Sequence, residues 1–294
     1  MAAMLRALVS RYTERFETAG VDSPRLSAEV LLAHAMGISR ADLLKTLILE
    51  PETVLSPAVA LKAESFAARR EKGEPVAYIT GVREFYGRDF IVTPATLIPR
   101  PDTETVVDAA LDFARGGMPP EQQTFIDLGT GSGAIAVTLA LELPAWRGLA
   151  VDISPDALGV AKRNAAALGA ANLDFILCDY LGPALPRGPY GMITANPPYV
   201  SEEEYHAVSP EVRCFEPGTA LVPPVPGADG LEHLVAILRM AEGLLVPGGL
   251  LLMEMGHTQG GALMDAAQAA PAWTDCRVIP DLAGLPRVFR ALRG

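Results

Sequence analysis

Apolar side chains in the first 75 residues recur at every third or fourth position, the spacing of one helix face. Leu5, Leu8, Val9, Tyr12 and Phe16 make one such stripe before Gly20. Ser23-Pro24 then supplies an N-cap and a first-turn proline for a second helix ending near Gly37. Ser39 is placed to cap a short helix through Leu47, and Ser56-Pro57 opens another that runs past Phe66 to Gly73. The pattern predicts a compact helical bundle over residues 1–75. Beyond it the period changes. Tyr78, Ile79, Phe85, Tyr86, Phe90, Ile91 and Val92 surround Gly81 and Gly87, which predicts a β-hairpin linker across 76–100. Pro99 and Pro101 stiffen the chain around Arg100, ahead of a helix opening at Asp102-Thr103 with Glu104 in its first turn. From 101 to 294, strands and helices alternate. Strands centre on residues 125, 150, 176, 193, 251, 275 and 289, with helices at roughly 134–142, 155–167, 229–245 and 258–270. That is a doubly wound α/β domain, which periodicity alone does not separate from others of its class.

Candidate chemistry sits at the ends of these strands. Phe125 to Val137 is an apolar strand running into a glycine-rich turn and then an apolar helix. Gly129, Gly131 and Gly133 let the backbone turn tightly and approach a ligand with no Cβ in the way. The same string satisfies a dinucleotide fingerprint with Ala134 in its last place, so the glycines leave the cofactor open. Asp152 closes the next apolar strand, where a carboxylate accepts from ribose hydroxyls. Asp179 ends a third, placed to accept from an adenine amine while Tyr180 packs on the ring face. Acids at two successive strand ends favour an adenosine. Asn196-Pro197-Pro198-Tyr199 follows a fourth apolar run, at the carboxyl edge where open α/β sheets do their chemistry. Two consecutive prolines donate no backbone hydrogen bonds, so the turn presents the Asn196 side chain and bare carbonyl oxygens as acceptors. Such a site suits a planar NH2 group.

In that order, these motifs resemble the class I S-adenosylmethionine-dependent methyltransferases that modify planar nitrogens. Tyr78 to Gly81, Glu84 to Gly87, Phe90, Leu97 to Glu104, Arg213, Phe215-Glu216-Pro217 and Asp281 to Arg287 narrow the resemblance to the HemK/PrmC family, from about residue 75 to the C-terminus. Cys214 departs slightly from that pattern, in a loop of variable composition. The resemblance implies a Rossmann-like seven-stranded sheet carrying a small N-terminal helical bundle, with a methyltransferase domain over 101–294. It implies S-adenosylmethionine held by Gly129, Thr130, Gly131, Ser132, Gly133, Asp152, Asp179, Tyr180 and Asn196, and S-adenosylhomocysteine as product. The substrate implied is the glutamine amide of the Gly-Gly-Gln tip of class I peptide chain release factors. Asn196 and Pro197 would act on its nitrogen, and Pro198 and Tyr199 would complete the substrate site. Tyr199 is given an aliphatic packing role that does not require its hydroxyl. In that family the helical bundle contacts the release factor.

Charge and composition then exclude several alternatives. Residues 1–75 hold 10 Lys and Arg against 10 Asp and Glu, whereas the remainder holds 14 against 25. A duplex-binding enzyme neutralises phosphates with cations, so an acidic catalytic half opposes a DNA adenine-N6 methyltransferase and direct nucleic-acid binding. It suits a basic protein partner. Arg69-Arg70 with Lys72, and Arg83 with Arg88, read as a solvated helix face. A glutamine methyltransferase for a ribosomal protein shares the chemistry and stays open, whereas the presence of every motif residue opposes a non-enzymatic helical adaptor with a decayed sheet domain. Cys178, Cys214 and Cys276 are odd in number and widely spaced, which suits a reducing compartment. His34, His206, His233 and His257 show no metal-ligand spacing, so no metal is expected. With no run of 18 apolar residues and no leader layout in Met1 to Arg6, the expected location is cytoplasmic.

Overall fold

A computed structural model describes residues 3–294, in two compact units: residues 3–82 with Ser209–Phe215, and Arg83–Val208 with Glu216–Gly294. Met1 and Ala2, part of the stretch read for a leader, lie outside the described residues. The first unit is helical. It contains α1 (Leu5–Thr18), α2 (Pro24–Met36), α3 (Arg40–Leu49), α4 (Pro57–Arg70) and α5 (Val76–Thr80), with β1 (Ala3–Met4) antiparallel to β2 (Val54–Leu55). The five apolar residues read as the α1 stripe are the five that α1 buries. They meet Leu31, Leu32, Leu43 and Ala67 in one core. Ser39 and Ser56 cap as expected, accepting from the amides of Asp42 and Val59.

Three local expectations fail in this unit. Ser23 makes no side-chain cap bond, because it sits at φ 49 in the left-handed region; Pro24 alone marks that helix start. Residues 76–80 form α5 rather than the first arm of a hairpin. Val76, Tyr78 and Ile79 favour a strand, but Ile79 is drawn into the bundle core, and burial overrides so weak a preference. Arg70 is not solvated: its side chain is 3% exposed and pairs with Glu211 at 2.7 Å.

A hairpin of β3 (Val82–Phe85) and β4 (Arg88–Ile91) begins at the last residue of the first unit and lies otherwise in the second. Helix α6 (Glu104–Arg115) follows, and then β5 (Thr124–Leu128), α7 (Ala134–Glu142), β6 (Arg147–Asp152), α8 (Pro155–Leu168), β7 (Leu173–Leu177) and β8 (Tyr190–Ala195). Two short helices the periodicity did not show are α9 (Glu202–Ala207) and α10 (Pro210–Phe215), the latter belonging to the first unit. Six-residue helices are too short for a 3.6-residue period to register. The chain ends with α11 (Glu232–Ala241), β9 (Leu245–Glu254), α12 (Gly260–Gln268), β10 (Trp273–Pro280) and β11 (Pro286–Arg293).

All seven anticipated strands form one sheet, ordered β10-β11-β9-β8-β5-β6-β7. β11 runs antiparallel to both neighbours and the other central pairings are parallel. One apolar core lies on each face. Phe125, Val107, Val137 and the hairpin's Phe85 and Phe90 fill one, and Ile126, Ile193, Leu234 and Leu251 fill the other. Register then sets the chemistry. Leu128 pairs with Val151 and with Ala195, and Ala195 pairs with Met253. Gly129, Asp152, Asn196 and Glu254 therefore leave or end their strands side by side. The strand order reverses at β5, so this edge is the switch point where such sheets bind ligands.

Candidate active site

The glycine turn is built by three residues at positive φ, Gly129, Gly131 and Gly133 at 71°, 57° and 82°. Gly129 and Thr130 both donate to the Val151 carbonyl at 2.9 Å, which pins the turn to β6. A Cβ built on Gly131 would meet nothing within 4 Å, whereas one on Gly133 would press on Ala161 and Val137 at 3.1 Å. Gly131 faces open space and Gly133 permits helix packing. Ser132 is buried, and its carbonyl accepts from Asn164 of α8 at 2.8 Å. The Asn164 carboxamide also exchanges bonds with both backbone groups of Ile91, tying the glycine turn to β4. No sequence signal marked Asn164.

Asp152 already accepts two backbone hydrogen bonds. Its Oδ2 accepts from Gly131 at 2.8 Å and its Oδ1 from Ser154 at 2.9 Å. The remaining lone pairs on each oxygen can still accept from a ribose. Beneath the turn lies Asp127, 1% exposed, with the Thr194 hydroxyl donating to it at 2.7 Å. Burial pushes its carboxyl up to about 6, against the pull of the Thr194 hydroxyl.

Asp179 does not end its strand: β7 stops at Leu177, and Asp179 sits exposed in the turn beyond. Its Oδ1 accepts from Leu181 at 2.8 Å, the self-capping that lets an Asp terminate pairing early. Tyr180 is 7% exposed, and its ring edge lies 3.4 Å from a Cβ position on Gly129. Its hydroxyl meets His233 Nδ1 at 2.5 Å. Burial raises the Tyr180 phenol and lowers the His233 imidazole, so the pair is neutral, with the phenol donating. His233 is partly buried, its ring set edge-on to that of Tyr180.

The Asn-Pro-Pro-Tyr turn rests on a polar cluster that sequence reasoning missed. Asn196 Nδ2 lies 3.4 Å from Thr103 Oγ1, and the Thr103 hydroxyl donates to Glu254 Oε2 at 2.6 Å. The other Glu254 oxygen accepts from Tyr199 Oη at 2.9 Å, so that hydroxyl is committed, contrary to the packing role expected of Tyr199. Burial raises the Glu254 pKa above the usual carboxylate range, and the two hydroxyls and Arg287 offset this only in part. The same burial and the adjoining Glu254 charge raise the Tyr199 phenol. Among the described residues, no donor reaches Asn196 Oδ1 or the Pro197 carbonyl. Two acceptors thus stand open at one turn. Gln259 holds the Tyr199 carbonyl at 2.8 Å, and Val200 donates to Leu221 at 2.9 Å, which sets the 221–230 loop beside the turn. Arg100 pairs with the buried Glu216 at 2.5 Å, and Ile98 donates to the same carboxylate at 3.0 Å. Arg100 is therefore committed to a structural ion pair. Glu254 could have been suspected, since it is an acid closing a long apolar run as Asp152 does.

Among the described residues no group of His, Cys, Asp and Glu could hold a metal, and no helix is long and apolar enough to cross a membrane. Residues 7–81 match the family described as PrmC N-terminal domain, and residues 120–272 match that described as Methyltransferase domain. A release factor glutamine methyltransferase of Nitratidesulfovibrio vulgaris is 44% identical over 293 residues, 99% of this chain and 96% of that one. A protein of the same name from Moorella thermoacetica is 44% identical over 291 residues, 98% of each chain. Among solved structures, a methyltransferase from Pyrococcus furiosus shares the fold with a TM-score of 0.50 at 16% identity, over 79% of this chain and 99% of that one.

Proposed function

The chain belongs to the release factor glutamine methyltransferase family, and on that premise we propose that it methylates the side-chain amide nitrogen of the Gly-Gly-Gln glutamine in class I peptide chain release factors, using S-adenosylmethionine. The open pair of acceptors at Asn196 Oδ1 and the Pro197 carbonyl carries this reading, because an amide NH2 offers two donors to match them. The cofactor supplies an electrophilic methyl on a positively charged sulfur. Its adenosine fits the turn: Gly131 faces space that a Cβ would occupy, and Asp152 keeps lone pairs for ribose hydroxyls. Asp179 retains an oxygen outside its turn bond for the adenine amine, and Tyr180 walls the base from the Gly129 side. Thr130, Ser132 and Gly133 shape that wall.

With both N–H groups held, Asn196 and Pro197 would fix the orientation of the amide nitrogen toward the methyl donor. Bound beside Asn196 and Pro197, the cofactor would supply the methyl group that the held amide nitrogen accepts. Orientation is the principal contribution, and well-aligned reactions gain up to ~7–11 kcal/mol from it. No general base is required. The helical unit, which matches the PrmC N-terminal domain, serves in this reading to recognise the release factor in the cytoplasm.

Incubation with methyl-labelled S-adenosylmethionine tests it. The intact release factor should take up label, and the same factor with its Gly-Gly-Gln glutamine replaced by alanine should not. Label on a ribosomal protein instead would keep the chemistry and move the substrate. No label on any protein, with the cofactor bound, would refute the reading.

A further inference from the structure

We propose that Thr103 and Glu254 are positioning residues that lock the Asn196 carboxamide with its oxygen toward the substrate. This rests on the methyl-transfer reading above. Strand register places Glu254 level with Asn196, since Ala195 pairs with Met253 one residue earlier. Glu254 is 2% exposed and both its oxygens accept from hydroxyls, Thr103 at 2.6 Å and Tyr199 at 2.9 Å. In its ionised form Glu254 only accepts, and the single Thr103 hydrogen is then spent on it. What Thr103 turns to Asn196 is therefore a lone pair.

The Asn196 Nδ2, at 3.4 Å from that oxygen, can satisfy it; Asn196 Oδ1 in the same place would set two acceptors against each other with no hydrogen between them. At 3.4 Å the attractive bond is weak, and most of the preference comes from the repulsion in the reversed amide. The relay from carboxylate through hydroxyl to carboxamide thus has one direction. It leaves Oδ1 as an acceptor and keeps the NH2 of Asn196 from facing the NH2 of a glutamine. The second Glu254 oxygen, through Tyr199, holds the far end of the same turn. One buried carboxylate thereby fixes the first and fourth residues of Asn196-Pro197-Pro198-Tyr199. Thr103 sits at the junction of a 3-10 turn (Pro101–Thr103) with α6, and the prolines around Arg100 fix the approach to that turn.

The experiment compares wild type with Thr103→Val, which keeps the shape and removes the hydroxyl, and Thr103→Ser, which keeps the hydroxyl. Steady-state kcat and KM for the release factor, cofactor affinity by calorimetry and thermal midpoint are measured for each. Thr103→Val should lower kcat by roughly 10- to 100-fold, the scale of a small misplacement at a reacting centre. Its KM and cofactor affinity should stay near wild type, and Thr103→Ser should restore kcat. An unchanged kcat in Thr103→Val would overturn the relay. Equal losses in both variants, tracking a lowered thermal midpoint, would overturn it in favour of packing. A wild-type enzyme that labels no release factor would bring down the methyl-transfer reading itself, and this inference with it.

Discussion

At the residue scale, the site separates groups that act on the substrate from groups that hold the turn. Asn196 Oδ1 is one of only two acceptors assigned to the substrate amide. Asn196→Ala should therefore cost about 10²–10³ in kcat, the scale seen when one aimed polar group is removed. Cofactor affinity should fall far less, and parallel loss of turnover and affinity would contradict the assignment. Asp152 is different, because its carboxylate bonds Gly131 as well as offering acceptors to a ribose. Asp152→Ala removes a charged acceptor worth about 1.5–3 kcal/mol, so calorimetric titration should show affinity weakened by roughly 10- to 100-fold. Unchanged affinity would refute the ribose placement. Asp127 touches no substrate in this reading, yet it ties stability to pH. Burial raises its carboxyl from 3.8 to about 6, so the folded protein binds that proton more tightly than the unfolded chain does. Its contribution is fully present below pH ~3.8 and is lost as pH rises through about 6. Asp127→Asn carries no charge and escapes that loss. It should gain on wild type by about 3 kcal/mol between roughly pH 4 and pH 8, as a two-unit shift implies. Denaturation curves at the two ends of that range check it, and a pH-independent difference would defeat it.

At the element scale, the chain's own pattern was most legible where elements are long and uniformly buried. The seven strand centres and the α1 stripe needed only apolar runs of the right period. Legibility ended at short elements and side-chain relays. Helices α9 and α10 span six residues each, α5 is a β-favouring segment held by Ile79, and nothing local marks Thr103 or Asn164 as a partner. A relay is a property of register: Glu254 and Asn196 are 58 positions apart and meet because β8 and β9 pair as they do. Glycines show the same contrast. At Gly131 a Cβ meets open space but the backbone sits at φ 57, so Gly131→Ala should cost about 1–2 kcal/mol of stability while obstructing the cofactor. Gly148, on β6, is buried, and a Cβ there would fall 2.3 Å from Phe125 Cζ. Gly148→Ala should destabilise by about 1–3 kcal/mol through overpacking and leave the turnover of folded molecules intact. Melting curves set beside cofactor titrations distinguish the two, and a reversal of that pattern would show the glycine roles to be misassigned.

At the scale of the whole molecule, the helical unit is not one continuous stretch. The chain leaves it at Val82 and returns for Ser209–Phe215, which composition and period gave no means of seeing. That return completes a charge. Arg70, 3% exposed, donates to Glu211 at 2.7 Å, to the Glu74 carbonyl at 2.9 Å and to Ser27 at 3.4 Å. Removing Glu211 leaves a buried guanidinium short of its one anionic partner among the described residues. Breaking a fully buried pair costs about 3–5 kcal/mol, but the Glu211 side chain is 33% exposed. Solvent therefore already screens part of the interaction, and Glu211→Ala should cost about 1–3 kcal/mol. The direct effect of Arg70→Met includes the loss of two further hydrogen bonds, so the single changes cannot be compared by themselves. A double-mutant cycle isolates the pair. With Arg70 already Met, Glu211→Ala should cost less than ~0.5 kcal/mol, because no buried charge remains to be stranded. Denaturant unfolding of the full-length chain and its three variants measures the coupling. Additive effects would show that Glu211 contributes nothing to the burial of Arg70.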